Sequence, residues 1–349
     1  MIAVFWSVTA GLSRAATLPE KHAADAKSTD ITGETSGQKR RLDDRIRALI
    51  PDAERHCIWI SEPSANRHDP LATSAQTSLV SALQLIEESD VGAWLVQLAA
   101  SRNVVACLDY ATSLEAHYRS HLGLLGLNAK LSAAGRVVFL AHELAHVPQH
   151  PRYSNNRRFS PGDMLLLQRA REAAAEATAT RVLWQMRERG FIEPWEEKLK
   201  TAYHDIAEAF EITMAGGHGT VQELWAARSA FHRWFEADWR LEIYDDLMLK
   251  TLARIADDPI GLIPASRHLS DHFLRGVADY AGQGFLLGGD GLALIQSFRG
   301  RALPAGGQIR LDAILAESGR SRNDHELAPL SGETLSAVSP KPTTIGKDR

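Results

Sequence analysis

The sequence predicts an α+β domain, mostly helical, with a small sheet of early strands ahead of one strongly apolar helix. Three observations predict it. Short apolar, β-branched runs are confined to the first 130 or so residues, as at Val104 to Leu108. Helical spacing of apolar residues dominates from Leu131 onward. The 349 residues are 44% apolar and 23% charged, which suits one large domain, or two small ones, with a substantial core.

Taken in order, residues 1–38 are expected to form a flexible leader, since about 17–38 are polar, rich in Gly, Ser and Thr, and free of aromatics. The domain proper is expected over 39–315. From Lys39 to Ile50 the apolar Leu42, Ile46, Leu49 and Ile50 suit a short amphipathic helix closed by Pro51. Cys57 to Ile60 reads as a buried strand, Leu79 to Glu87 and Ala93 to Ala100 as helices, and Val104 to Leu108 as a strand. Leu122 to Leu127 is a further candidate strand, with glycines that leave its backbone open to close approach.

Leu131 to Val147 is strongly apolar and helical, with Ser132 as its N-cap and Pro148 as its stop. A polar loop leads to a long helix over Asp163 to Arg189, ended by Gly190. Two more long helices are expected at about 193–214 and 220–256, and further helix within 265–300. Residues 316–349 turn polar and are expected to be a disordered tail.

Composition narrows the function. A net charge of −4 gives no broad basic field, so no nucleic-acid partner is expected. No uncharged stretch is long enough to span a bilayer. The apolar start, Met1 to Ala10, has no basic segment before it and only a poor cleavage site after it, so a cytoplasmic location is expected rather than export. Cys57 and Cys107 each lie among apolar neighbours and are expected as buried free thiols, which favours a reducing compartment. Two cysteines also rule out a cysteine-rich zinc site.

The chemistry centres on His142-Glu143-Leu144-Ala145-His146. Residues four apart on a helix differ by about 40° in azimuth and about 6 Å along the axis. The two imidazoles therefore share a face and can bind one cation. Zinc takes imidazole nitrogen at about 2.0–2.1 Å and uses three protein ligands where a position must stay open for water. Glu143, one step round, is placed to take a proton from water that the metal activates. The apolar flanks bury this helix, and buried histidines and glutamate are costly without a partner.

A third histidine six residues after His146 would fall on Arg152, and His150 reads as a loop residue. The next helix offers carboxylates instead. Leu165, Glu172, Glu176, Ala179, Leu183 and Met186 form one stripe, so Glu172 and Glu176 fall on its inward face. Buried carboxylates need a cation or donors.

His142 to His146 followed by Glu172-x-x-x-Glu176 resembles the gluzincin branch of the zincin metallopeptidases, and is closest to uncharacterised bacterial metallopeptidase domains. The resemblance covers roughly residues 104–190. It implies a zincin-like catalytic core there and a helical C-terminal part over about 191–315. It implies zinc held by His142, His146 and Glu172, with Glu143 as the general base of peptide-bond hydrolysis. Glu176 would accept a histidine N–H, or be the alternative ligand, because the family more often has aspartate there. A peptide or protein is the implied substrate, and Leu122 to Leu127 would be the edge strand that pairs with it. The alternative reading is a catalytically inactive, zinc-stabilised helical binding module.

Other features read as structure. Leu224, Ala227, Phe231, Trp234 and Phe235 form a core stripe, and His204 with Glu208 a surface pair. His325-Glu326-Leu327-Ala328 echoes the motif, but the next residue is Pro329, so no second histidine stands where a metal would need it. His218, Tyr203, Tyr244 and Tyr280 are equal candidates for stabilising a developing oxyanion.

Overall fold

A computed structural model of the chain describes residues 42–62, 72–149, 159–256, 269–280, 282–286, 293, 303 and 305–318. The expected leader lies outside the described residues, as do the expected tail beyond Ser318 and most of the helix expected within 265–300.

The described chain is a mostly helical α+β fold with one small mixed sheet. Helices α1 (Asp44–Leu49) and α2 (Ala53–His56) precede strand β1 (Cys57–Trp59). Helices α3 (Ser74–Glu87) and α4 (Asp90–Ser101) follow, then β2 (Val105–Asp109), β3 (Ala116–Arg119) and β4 (Leu124–Asn128). The sheet order is β1-β2-β4-β3, with β2 and β4 parallel and both outer pairings antiparallel. β3, whose Ala-His-Tyr-Arg has no β-branched residue, is a strand the propensity reading missed. β4 is flanked on both sides, so Leu122 to Leu127 is not the sheet's edge as expected; β3 stands at that end.

Strand alternation gives the sheet two apolar faces. Ile58, Ala106, Leu108, Ala116, Tyr118, Leu125 and Leu127 join the main core, and Cys57, Val105, Cys107 and Leu124 pack with Leu42, Ile46 and Ile50 of the α1 region. On this second face Cys57 stands opposite Cys107, and the two are bonded to each other. The expectation of two free thiols is therefore corrected, and the support it lent to a reducing compartment falls. Both are buried as expected, but strand register is what brings them together.

Helix α5 (Ala133–Gln149) crosses the other face of the sheet, started by the Ser132 hydroxyl accepting from the Gly135 amide. Pro148 does not stop it. It lies in the last turn, where only its own missing N–H is lost, and Arg102 donates to the Val147 carbonyl there. Helix α6 (Pro161–Glu188), capped by Ser160, is central among the described helices: every residue from Met164 to Met186 is buried. Its alanines at 170, 173, 174, 175, 177 and 179 carry so little bulk that helices pack closely around it.

Beyond it come α7 (Glu193–Lys198), α8 (His204–Met214), α9 (Thr220–Trp234), α10 (Asp238–Ala256), α11 (Asp271–Gly276) and α12 (Ala305–Ser318). Each of the two long helices expected over 193–214 and 220–256 is broken into two. Side chains end the shorter pieces. Thr201 donates to the carbonyl of Lys198, and Arg240 donates to the carbonyls of Arg233 and Trp234, so these helix ends are satisfied without continuing.

Candidate metal centre

Helix α5 brings the Nε2 atoms of His142 and His146 to 3.1 Å from each other. From α6, Glu172 Oε2 lies 3.5 Å from the first and 3.6 Å from the second. The state of these three atoms follows from what holds the other end of each side chain. His142 Nδ1 lies 2.8 Å from Glu176 Oε2, an atom that can only accept from it. His146 Nδ1 lies 2.9 Å from Gln149 Oε1, whose orientation is fixed because Gln149 Nε2 already donates to the carbonyls of Arg171 and Val277 and meets the Tyr280 hydroxyl. Both Nδ1 atoms are therefore turned outward to these partners, and both Nε2 atoms face the centre. Glu172 Oε1 accepts from Gln168 Nε2 at 2.7 Å, which leaves Oε2 turned inward with no hydrogen-bond partner.

Three possible ligand atoms converge in a buried place. A cation held there would be met by all three. Tetrahedral bonds of about 2.0–2.1 Å separate neighbouring ligands by roughly 3.3–3.4 Å. The observed separations of 3.1, 3.5 and 3.6 Å bracket that value, so the spacing suits a tetrahedral metal ion. His142, His146 and Glu172 thus form a group able to hold a metal ion.

Glu176 stands behind His142 rather than in the centre. Its second carboxylate oxygen is engaged by the ammonium of Lys198, a buried cation on α7. Gln149, which orients His146, escaped sequence reading. Its signal was its place three residues after His146 on one helical face, and reading Pro148 as a stop hid it.

Glu143 is fully buried, and burial pushes its carboxyl up to about 7 against the pull of His142 and His146. Burial raises Glu172 too, but the charges and N–H groups of His146 and His142 outweigh it and bring Glu172 down to about 2. Of the candidate oxyanion donors, His218 is exposed in the turn before α9. Tyr280 is spent on Gln149 and the Ala145 carbonyl. Tyr203 and Tyr244 are buried with their hydroxyls 3.2 Å apart. Burial raises both phenols, and the charge of Glu172 raises them further.

Residues 60–282 match the family described as "Putative metallopeptidase family (DUF6782)", and the chain belongs to that family. No match was found among curated proteins or among solved structures. Among the described residues no helix is long and apolar enough to cross a membrane.

Proposed function

We propose that the chain is a zinc-dependent peptidase of the gluzincin type, with His142, His146 and Glu172 as ligands and Glu143 as general base. The observation that carries this reading is the convergence of two Nε2 atoms and one carboxylate oxygen within 3.1–3.6 Å. Zinc held there supplies Lewis-acid polarisation of a substrate carbonyl and brings the pKa of water near 7. Glu143 does the proton work. Burial raises the Glu143 carboxyl, which suits a group that takes the proton of the attacking water and returns it to the leaving amine. Glu176 and Gln149 hold the two rings with Nδ1–H turned outward, and Lys198 holds Glu176. Glu172 is favoured over Glu176 as the third ligand because only Glu172 faces both Nε2 atoms.

The test is metal analysis and peptide-library digestion on purified full-length protein. Wild type should carry about one zinc per chain and cleave; His142→Ala and His146→Ala should carry none. Glu143→Gln should keep zinc and lose cleavage. Wild type without a transition metal, or cleavage that survives in Glu143→Gln, would sink the proposal. The burial of Glu143 favours one second reading, a zinc-stabilised binding module without turnover. Stoichiometric zinc with no cleavage of any library peptide selects it.

A further inference from the structure

Among the described residues five cationic side chains are no more than 4% exposed: Arg169, Arg171, Arg181, Lys198 and Arg240. Four have a carboxylate. Arg169 makes a two-pronged pair with Asp245 at 2.7 and 2.5 Å, Arg181 meets Glu223 at 2.9 Å, Lys198 meets Glu176 and Arg240 meets Asp205. Arg171 is the exception. Its guanidinium makes no ion pair among the described residues, and its Nε is buried with no acceptor.

Glu172, next in sequence, is the nearest source of negative charge, but it is not free to pair. Its Oε1 is taken by Gln168 and its Oε2 faces the two histidines. Arg171 lies about 100° round α6 from Glu172, on the same side as Thr178 two turns on. Thr178 bonds the Tyr280 hydroxyl, and the Arg171 carbonyl accepts from Gln149, which also reaches the Val277 carbonyl. Arg171 thus sits where the end of α5, the middle of α6 and the 277–280 segment meet, beside the His146 side of the centre. An uncompensated buried charge is strongly destabilising, and among the described residues no carboxylate pairs with this guanidinium.

We propose that Arg171 anchors an anionic subsite next to the metal centre and binds a carboxylate of the peptide substrate. The inference rests on the peptidase reading for the word substrate, but the subsite itself rests only on Arg171. Guanidinium and carboxylate match as a two-pronged pair, which favours a carboxylate over a spherical anion. The carboxylate can be the peptide's own C-terminus or an acidic side chain, and matched peptides separate the two.

The experiment is calorimetric titration of full-length protein with three acetylated tripeptides: trialanine as free acid, trialanine as C-terminal amide, and the same amide with aspartate in the middle. A carboxylate-bearing peptide should bind about tenfold tighter than the plain amide, the size expected of one charge-assisted contact. Tighter binding of the free acid assigns the C-terminus; tighter binding of the aspartyl amide assigns a side chain. Arg171→Gln should erase the preference without lowering the melting temperature, and Arg171→Lys should keep part of it. Equal binding of all three peptides, no binding of any, or an undiminished preference in Arg171→Gln overturns the inference. So does a lowered melting temperature in both variants, which would make Arg171 a structural cation. Zinc content and Glu143-dependent cleavage are read on the same preparations. Cleavage without a carboxylate preference removes the subsite alone; carboxylate binding without metal removes the peptidase reading alone.

Discussion

Glu143 and Glu172 are both fully buried carboxyls near the same two histidines, yet their acidities diverge. Glu172 faces both Nε2 atoms, so their attraction outweighs the cost of burial; for Glu143 burial wins. Carboxyls pushed apart in this way can divide the roles of ligand and proton carrier. The raised group has a consequence for stability in metal-free protein. A carboxyl near 4.5 in the unfolded chain and near 7 in the folded one is bound to its proton more tightly when folded. Its contribution is complete below about pH 4.5, declines as pH rises and is gone above about 7. The difference amounts to roughly 3 kcal/mol. With metal removed by chelation, wild type should therefore lose stability relative to Glu143→Gln between pH 4.5 and 7.5. Denaturant titrations at several pH values measure this, and parallel pH profiles for the two proteins would refute it.

At the level of elements, the Cys57–Cys107 bond ties β1 to β2 and closes a loop of about fifty residues that contains α3 and α4. Closing a loop of that length restricts the unfolded chain by about 4 kcal/mol in the chain-entropy account. Both helices pack in the core that holds α5, so the bond secures the floor beneath the centre. Cys57→Ser with Cys107→Ser should lower the melting temperature by roughly 8–16 °C, at about 2–4 °C per kcal/mol, while leaving zinc content unchanged. Equal melting temperatures would show that the bond does not form. This bond also marks where reading by element ends. The strands at Cys57 and Val104, the motif helix and the stripe carrying Glu172 and Glu176 were legible because each is a local pattern of period 2 or 3.6. The pairing of Cys57 with Cys107, the central position of β4, and the breaks at Leu199 and Phe235 depend on contacts between distant segments. Gln149 was hidden for a different reason: a helix-breaking proline placed in a last turn breaks nothing.

Across the whole molecule, α6 is the member that joins site and fold. One of its faces supplies Glu172 and Glu176; others fix Arg169 to Asp245 on α10, Arg181 to Glu223 on α9, and Gln185 to Ser89 at the start of α4. A metal joining α5 to α6 therefore connects the two most buried helices of the core, and no peripheral flap can release it by fraying alone. Metal binding should then be linked to global unfolding rather than to a local transition. At a free zinc concentration about a hundredfold above its dissociation constant, linkage adds about 2.7 kcal/mol. For a domain of this size that raises the melting temperature by roughly 5–11 °C. Calorimetry of chelated and zinc-loaded protein should show one cooperative transition that moves as a whole, and Glu172→Ala should abolish the shift. A separate low-temperature transition that alone responds to zinc would place the metal outside the α5–α6 core.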